Sequence, residues 1–278
     1  NYQLNVEEAV FEVEKATNNV HVVVDDVVYG ESNIIAINAD IDGTYSVNID
    51  NAIVTVNVVN GRGENSVKLN AGTYTTSTSF DHPCYVNNIT EDSFQVLKAD
   101  VALRIVVLDC TYPSSVNGTI FTNVNGLYTV KIGNYSSSID ITDNVGIFDA
   151  GVLDAGVYNA TVIFDGDDNH NTNTSMVTFT VNKRTVDFRI NANATDVVYR
   201  DSIEVTPVFD VEVNGTIKYS VDGNVFCEVP VSESVIFDLD AGYHVILADY
   251  SGDKNNKKAS ATVKVYVKRF INIVNVNV

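Results

Sequence analysis

The chain has 278 residues, 45% of them hydrophobic, enough for one large domain or for two to three small ones that each bury a core. A formal net charge of −19 and an isoelectric point near 4.3 repel phosphate backbones and anionic lipid faces, which excludes nucleic acid as a partner and polybasic docking to membranes. Cys84, Cys110 and Cys227 fall at unrelated places and predict no recurring disulfide. The chain holds no run of about 20 apolar residues and no basic-plus-apolar leader, so no direct membrane insertion is expected of this fragment.

Taken in order, residues 1–15 carry apolar alternation at Ala9, Phe11 and Val13 and align without gaps on 169–183 and 255–269. They are expected to be the closing strand of a preceding repeat. Residues 16–98 hold Tyr29-Gly30-Glu31-Ser32, then the turn dipeptide Asp42-Gly43 before an alternating run, then Ala71-Gly72-Thr73-Tyr74, Phe80 and a closing run ending at Lys98. Residues 99–183 repeat the series as Tyr112-Pro113-Ser114-Ser115, Asn125-Gly126, Ala155-Gly156-Val157-Tyr158, Phe164 and a close at Lys183. Residues 184–269 give Tyr199-Arg200-Asp201-Ser202, Asn214-Gly215, Ala241-Gly242-Tyr243-His244, Tyr250 and a close at Arg269. The Tyr-x-x-Ser marker recurs after 83 and then 87 residues. Residues 270–278 read as the first strand of a following repeat. The junctions Lys98-Ala99, Lys183-Arg184 and Arg269-Phe270 leave little linker, which predicts a semi-rigid rod.

Within each unit, short runs of period-2 alternation are separated by turn signals, the pattern of a seven-stranded β-sandwich. No stretch sustains helical spacing over more than two turns, and the interiors are crowded with Val and Ile, so the expected class is all-β with almost no helix.

The Tyr-x-x-Ser start, the Asn-Gly hairpin, the Ala-Gly-x-Tyr turn, the Phe164–Asn169 segment and the Phe-x-Val-x-Lys close together resemble the group-3 bacterial Ig-like repeats of adhesin-like surface proteins, especially those of methanogenic archaea. The resemblance implies three tandem immunoglobulin-like β-sandwich domains in an extracellular, cell-surface or cell-wall protein with a role in adhesion. It carries no catalytic residues. Its implied partners are a host-cell or cell-wall protein or glycan and the adjacent repeats of the same protein. The first copy departs from the pattern, with Asp81-His82-Pro83-Cys84 where the second has Gly166-Asp167-Asp168-Asn169 and the third Gly252-Asp253-Lys254-Asn255.

Residues that suggest chemistry meet a plainer reading in each case. His21, His82, His170 and His244 occupy four different repeat positions, and no nucleophile elbow or phosphate loop appears, so no enzyme is expected. His82 and Cys84 offer two zinc ligands where four are needed, which favours a divergent surface loop. Asp165, Asp167, Asp168 and Asn169 are candidate Ca2+ ligands, but the far bidentate Glu is missing and a polar hairpin turn accounts for them, so no cofactor is expected. Asn-x-Ser/Thr acceptors stand at Asn88, Asn117, Asn134, Asn159, Asn173, Asn193 and Asn214. The repeated Tyr29, Tyr112 and Tyr199 suggest a shared packing task rather than a sugar platform. The turn glycines Gly72, Gly156 and Gly242 are expected where a side chain is poorly tolerated. The leading reading is a non-catalytic stalk or spacer. A carbohydrate- or protein-binding module with specificity in the end loops, and a filament subunit using residues 1–14 as a donor strand, stand as alternatives.

Overall fold

The computed structural model describes residues 2–4 and 7–270. Among them are twenty-five strands and no helix, as the alternation requires. Six sheets follow one another in pairs along the chain.

The first pair is built from β1 (Ala16–Val24), β2 (Val27–Val28), β3 (Asn33–Ala39), β4 (Gly43–Ile49), β5 (Ala52–Val58), β6 (Arg62–Val67), β7 (Gly72–Ser79), β8 (Tyr85–Thr90) and β9 (Ser93–Leu97). Its sheets have the orders β6-β3-β1-β8 and β2-β9-β7-β4-β5. The second pair uses β10 (Leu103–Val107), β11 (Cys110–Thr111), β12 (Ser115–Thr122), β13 (Gly126–Ile132), β14 (Tyr135–Ile141), β15 (Val145–Val152), β16 (Gly156–Phe164) and β17 (Asn173–Asn182), ordered β10-β12-β15 and β11-β17-β16-β13-β14. The third uses β18 (Phe188–Ala192), β19 (Asp196–Val198), β20 (Ile203–Phe209), β21 (Thr216–Val221), β22 (Asn224–Pro230), β23 (Val235–Phe237), β24 (Gly242–Tyr250) and β25 (Ala259–Lys268), ordered β18-β20-β23 and β19-β25-β24-β21-β22.

This strand order is that of the immunoglobulin sandwich. The first strand, the one after it and the fifth form one sheet. The closing strand, the strand opened by the Ala-Gly turn and the central hairpin form the other, where a short second segment pairs in parallel with the closing strand, as in Val27↔Val96 and Val198↔Lys268. Antiparallel pairing with one face inward explains the alternation: β1 buries every second residue from Asn18 to Val24. Val20, Val22, Ile35, Ile37, Tyr45, Val47, Phe94 and Val96 make one core, and Val205, Ile217, Tyr219, Phe237, Ile246, Tyr250 and Val265 another. Each such side chain stabilises its sandwich by about 1.5–3 kcal/mol relative to exposure.

The turn chemistry is steric at Gly43, where a Cβ would lie 2.6 Å from Cε2 of Phe80. That ring stacks on Tyr45 at 4.3 Å. The hydroxyl of Tyr45 donates to Ile41 O at 2.7 Å and accepts from Asn18 Nδ2 at 3.0 Å, so a buried phenol closes the turn. In the third sandwich Ile217 fills the inward position and the phenol comes from the neighbouring strand: Tyr250 Oη lies 2.9 Å from Asn214 O.

Backbone contacts group the chain into two compact units. One comprises Asn1–Leu103, Thr122–Val124 and Ile163–Thr174, the other Arg104–Phe121, Asn125–Val162 and Ser175–Val278. The boundary therefore runs through the middle sheet pair rather than at its ends, because the end loops of 163–174 are tied to residues near 70 and 98. Residues 7–15, expected as a closing strand, form no strand, and Val10, Phe11 and Val13 are exposed. A strand requires pairing with an edge, and this segment joins none of the sheets among the described residues. The expected strand over 270–278 lies outside the described residues beyond Phe270.

Candidate functional site: a carboxamide clamp on the end turns

The Ala-Gly turn opens the strand that pairs with the closing strand of each sandwich, β7, β16 and β24. In the first, the Tyr74 hydroxyl reaches back to donate to Asn70 O at 2.9 Å, and in the second Tyr158 does the same to Asp154 O at 2.9 Å. In the third, His244 Nε2 stands 2.8 Å from Asp240 O, so an imidazole does the work of the phenol. The ring therefore lies over the glycine. A Cβ on Gly72 or Gly156 would meet that ring at 3.5 Å, which is ordinary contact, and neither residue has a left-handed φ. The expectation that all three turn glycines exclude a side chain is corrected accordingly. Of the three only Gly242 has a left-handed φ, +154°, and two glycines set against backbone lie in the loops after β16 and β24, at Gly166 (φ +84°) and Gly252 (φ +78°). A Cβ on Gly252 would sit 2.9 Å from the Lys258 nitrogen.

Those loops are organised by one aspartate each. Asp167 Oδ1 accepts the backbone N–H groups of Asn169 and His170 at 2.8 and 2.7 Å, and Asp253 Oδ1 accepts those of Asn255 and Asn256 at 2.8 and 2.7 Å. Burial would raise both carboxyls, but hydrogen bonds prevail and hold each below the usual carboxylate range. At Asp167 these come from the His170 ring and the loop N–H groups, and at Asp253 from the Asn214 N–H, the Asn256 carboxamide and the loop N–H groups.

Held this way, the asparagine two residues on projects its carboxamide onto the end turn of the preceding repeat. Within the first compact unit, Ala71 N–H donates to Asn169 Oδ1 at 2.9 Å and Asn169 Nδ2 donates to Asn70 Oδ1 at 3.3 Å. Within the second, Ala155 N–H donates to Asn255 Oδ1 at 2.8 Å and Asn255 Nδ2 to Asp154 Oδ1 at 2.9 Å. The backbone repeats as faithfully. Ala99 N–H donates to Asn169 O at 2.9 Å and Asn171 N–H to Ala99 O at 2.9 Å, while Arg184 N–H donates to Asn255 O at 3.0 Å and Lys257 N–H to Arg184 O at 2.9 Å. Lys98 Nζ donates to Asp167 O and Lys183 Nζ to Asp253 O, both at 2.5 Å. The second clamp adds an ion pair between Lys254 and Asp154, which lowers the Asp154 carboxyl and raises the lysine.

Of the candidate calcium ligands, Asp167 and Asn169 belong to this clamp, while Asp165 and Asp168 are exposed outside it. Among the described residues no group of three or more His, Cys, Asp or Glu is placed to hold a metal ion. In the first copy Cys84 is exposed, its N–H donates to His82 Nδ1 at 3.2 Å and its carbonyl accepts from Ala16 at 3.0 Å. His82 thus replaces the loop aspartate and Cys84 the asparagine. The repeated tyrosines sit beside the clamps: the Tyr29 ring meets His170 edge-on at 5.3 Å, the Arg184 guanidinium lies 5.3 Å from the Tyr112 ring, and Tyr199 is exposed. Tyr29 packs on its core only in part, so core packing alone does not describe this set. Asn88, Asn117, Asn134, Asn159, Asn193 and Asn214 are exposed, whereas Asn173 is half-buried and donates to Val101 O.

The asparagine clamp was missed in the sequence because its partners stand about a hundred residues apart, although Asp-x-Asn at the same place in two copies was its signal.

No family model matches the chain, and no curated protein sequence matches it. Among solved structures it is similar to the Escherichia coli adhesin FdeC, at 10% identity over 94% of this chain and 99% of that one, with a TM-score of 0.30. It is also similar to fibronectin(III)-like modules of Clostridium thermocellum CbhA, at 15% identity over 59% and 94%, TM-score 0.25. A third is the N-terminal four Ig domains of Dscam1 isoform 6.9, at 12% identity over 91% and 73%, TM-score 0.32. The immunoglobulin-like assignment rests on the strand order itself.

Proposed function

We propose that the chain is a non-catalytic spacer of an extracellular adhesin-like protein, built from immunoglobulin-like modules over residues 16–98, 99–183 and 184–269. The observation that carries this reading is the same clamp made twice, with matching atoms and distances, at successive repeats. Elements devoted to joining one module to the next suit a part that presents something at a distance. Exposed Asn-x-Ser/Thr acceptors and a strongly acidic, solvated surface fit an outer location at the cell surface or wall. Small-angle scattering tests it: a radius of gyration well above the roughly 19 Å of a compact chain of this length is expected, and a value near 19 Å overturns the spacer.

A second reading, a protein-binding module, is favoured by the outer face of β10, β12 and β15. There Leu108 and Ile147 are 77% and 75% exposed, and the Arg104 guanidinium covers the Phe121 ring at 4.6 Å. Capture of a cell-surface or wall protein that is lost in Leu108→Asp would favour it.

A further inference from the structure

The two occupied clamps share a small set of parts: an alanine N–H, a side-chain oxygen on the residue before it, a base ending the closing strand, and a residue after that base which bridges to the incoming loop. These are Ala71, Asn70, Lys98 and Ala99 in one and Ala155, Asp154, Lys183 and Arg184 in the other. The third sandwich has the same parts in the same order, Ala241, Asp240, Arg269 and Phe270. Their exposure differs. Asp154 and Ala155 are half-buried by the loop on them, whereas Asp240 and Ala241 are exposed and Phe270 is 62% exposed.

We infer that the Asp240-Ala241 turn is a third clamp, and that its occupant is a further sandwich module joined to the chain after Arg269 and carrying an Asp-x-Asn loop. This rests on the spacer reading above. The chemistry selects a carboxamide. Ala241 N–H needs an acceptor while the Asp240 carboxylate needs a donor, and a single planar amide supplies both, as Asn255 does for Ala155 and Asp154. An aspartate in the incoming loop would set two carboxylates side by side, and alanine would leave both turn groups unsatisfied. A second copy of this chain does not fit, because the loop of its first sandwich presents Cys84 where the carboxamide is needed. Arg269 takes the place of Lys98 and Lys183, so it is expected to donate to the carbonyl of the incoming aspartate.

The test extends the full chain after Arg269 with a copy of residues 184–269 or, in a second protein, of residues 99–183, and follows amide hydrogen exchange. Ala241 is expected to exchange at least about tenfold more slowly in the extended chains, approaching Ala155, and to return to its original rate when the asparagine of the appended loop is replaced by alanine. Equal Ala241 rates with and without either appended module, while Ala155 stays protected, overturn this inference and leave the spacer reading standing. An unprotected Ala155 that is indifferent to Asn255→Ala overturns the spacer reading itself. Two different appended modules keep the result decisive if one of them does not fold.

Discussion

The first and third sandwiches close differently from closing runs that look alike. In the third, β24 and β25 pair without interruption from Gly242↔Val267 to Tyr250↔Ala259. In the first, the same pairing runs only from Gly72↔Val96 to Thr75↔Ser93. The chain then breaks at Glu91-Asp92, and the preceding strand β8 joins the opposite sheet, parallel to β1 from Ala16↔Tyr85 to His21↔Thr90. Where the third sandwich fills the hairpin with Ile246 and Ala248, the first has Thr76 and Thr78, also buried at 5% and 9% exposure. The Glu91 carboxylate enters in place of the missing strand. It accepts the Thr76 hydroxyl at 2.6 Å, the Thr78 hydroxyl at 3.0 Å and the Thr78 N–H, while Asp92 O accepts Thr76 N–H at 2.9 Å. One ladder is closed by apolar burial and the other by a charged side chain standing in for backbone. An acidic doublet inside an alternating run therefore decides which sheet the run completes.

Removing that side chain should have a large effect. Glu91→Ala leaves the Thr78 hydroxyl and N–H without their acceptor, while the Thr76 hydroxyl keeps only Asp92 O at 3.3 Å, and is expected to destabilise the first sandwich by about 2 kcal/mol, read in urea unfolding with exchange at Thr78. The third sandwich should be unmoved. Adding Thr76→Ala and Thr78→Val, the Ala160 and Val162 of the second copy, should recover most of the loss, because removing both partners of a buried bond costs little. A Glu91→Ala chain with unchanged stability would mean that β8 switches sheets for some other reason.

The all-β class, the alternation and the closing runs at Phe94, Phe179 and Val265 were legible because each depends on neighbours one or two residues apart. The sheet switch at Glu91 was not, since the donors to its carboxylate lie on a strand thirteen to fifteen residues away and the apolar pattern on either side is unbroken. Nor was the meaning of the glycines. Ala-Gly-x-Tyr looked like a backbone requirement, whereas the tyrosine's own back-bond places its ring at ordinary distance from Gly72. The contrast between loops gives the second prediction. Gly252→Ala, at φ +78° against backbone, is expected to cost about 2 kcal/mol, while Gly72→Ala should be within about 0.5 kcal/mol of neutral in thermal unfolding. The first loop, one residue shorter between Phe80 and Cys84, holds no left-handed residue and so has no position with this sensitivity. Comparable losses from the two substitutions would restore the backbone reading of the Ala-Gly turn.

The smallest effect concerns the one turn that uses an imidazole. His244 Nδ1 lies 2.7 Å from Asp222 Oδ2 while Nε2 faces Asp240 O, so both ring nitrogens donate only when the ring is charged. The Asp222 hydrogen bond raises the His244 pKa above 6.5, burial opposing it, with a further rise from the Asp240 carbonyl. Asp222 is lowered below 3.8, chiefly by the Val245 N–H and then by His244. For the raised histidine, the added stability is full below its unfolded pKa and is lost as pH rises through the folded value. For the lowered aspartate, it is present above the unfolded pKa and lost as pH falls through the folded value. The pair therefore supports the third turn most between these limits and weakens on passing from about pH 6 to pH 8. Tyr74 makes the same back-bond through a phenol rather than an imidazole, so the first turn is the internal control. Amide exchange around residues 240–245 should accelerate across the interval while that around 70–75 stays level, and His244→Tyr should flatten the difference. An NMR titration that places the His244 pKa at or below 6.5 would remove the premise, and the third turn would then owe its closure to the strand pairing alone.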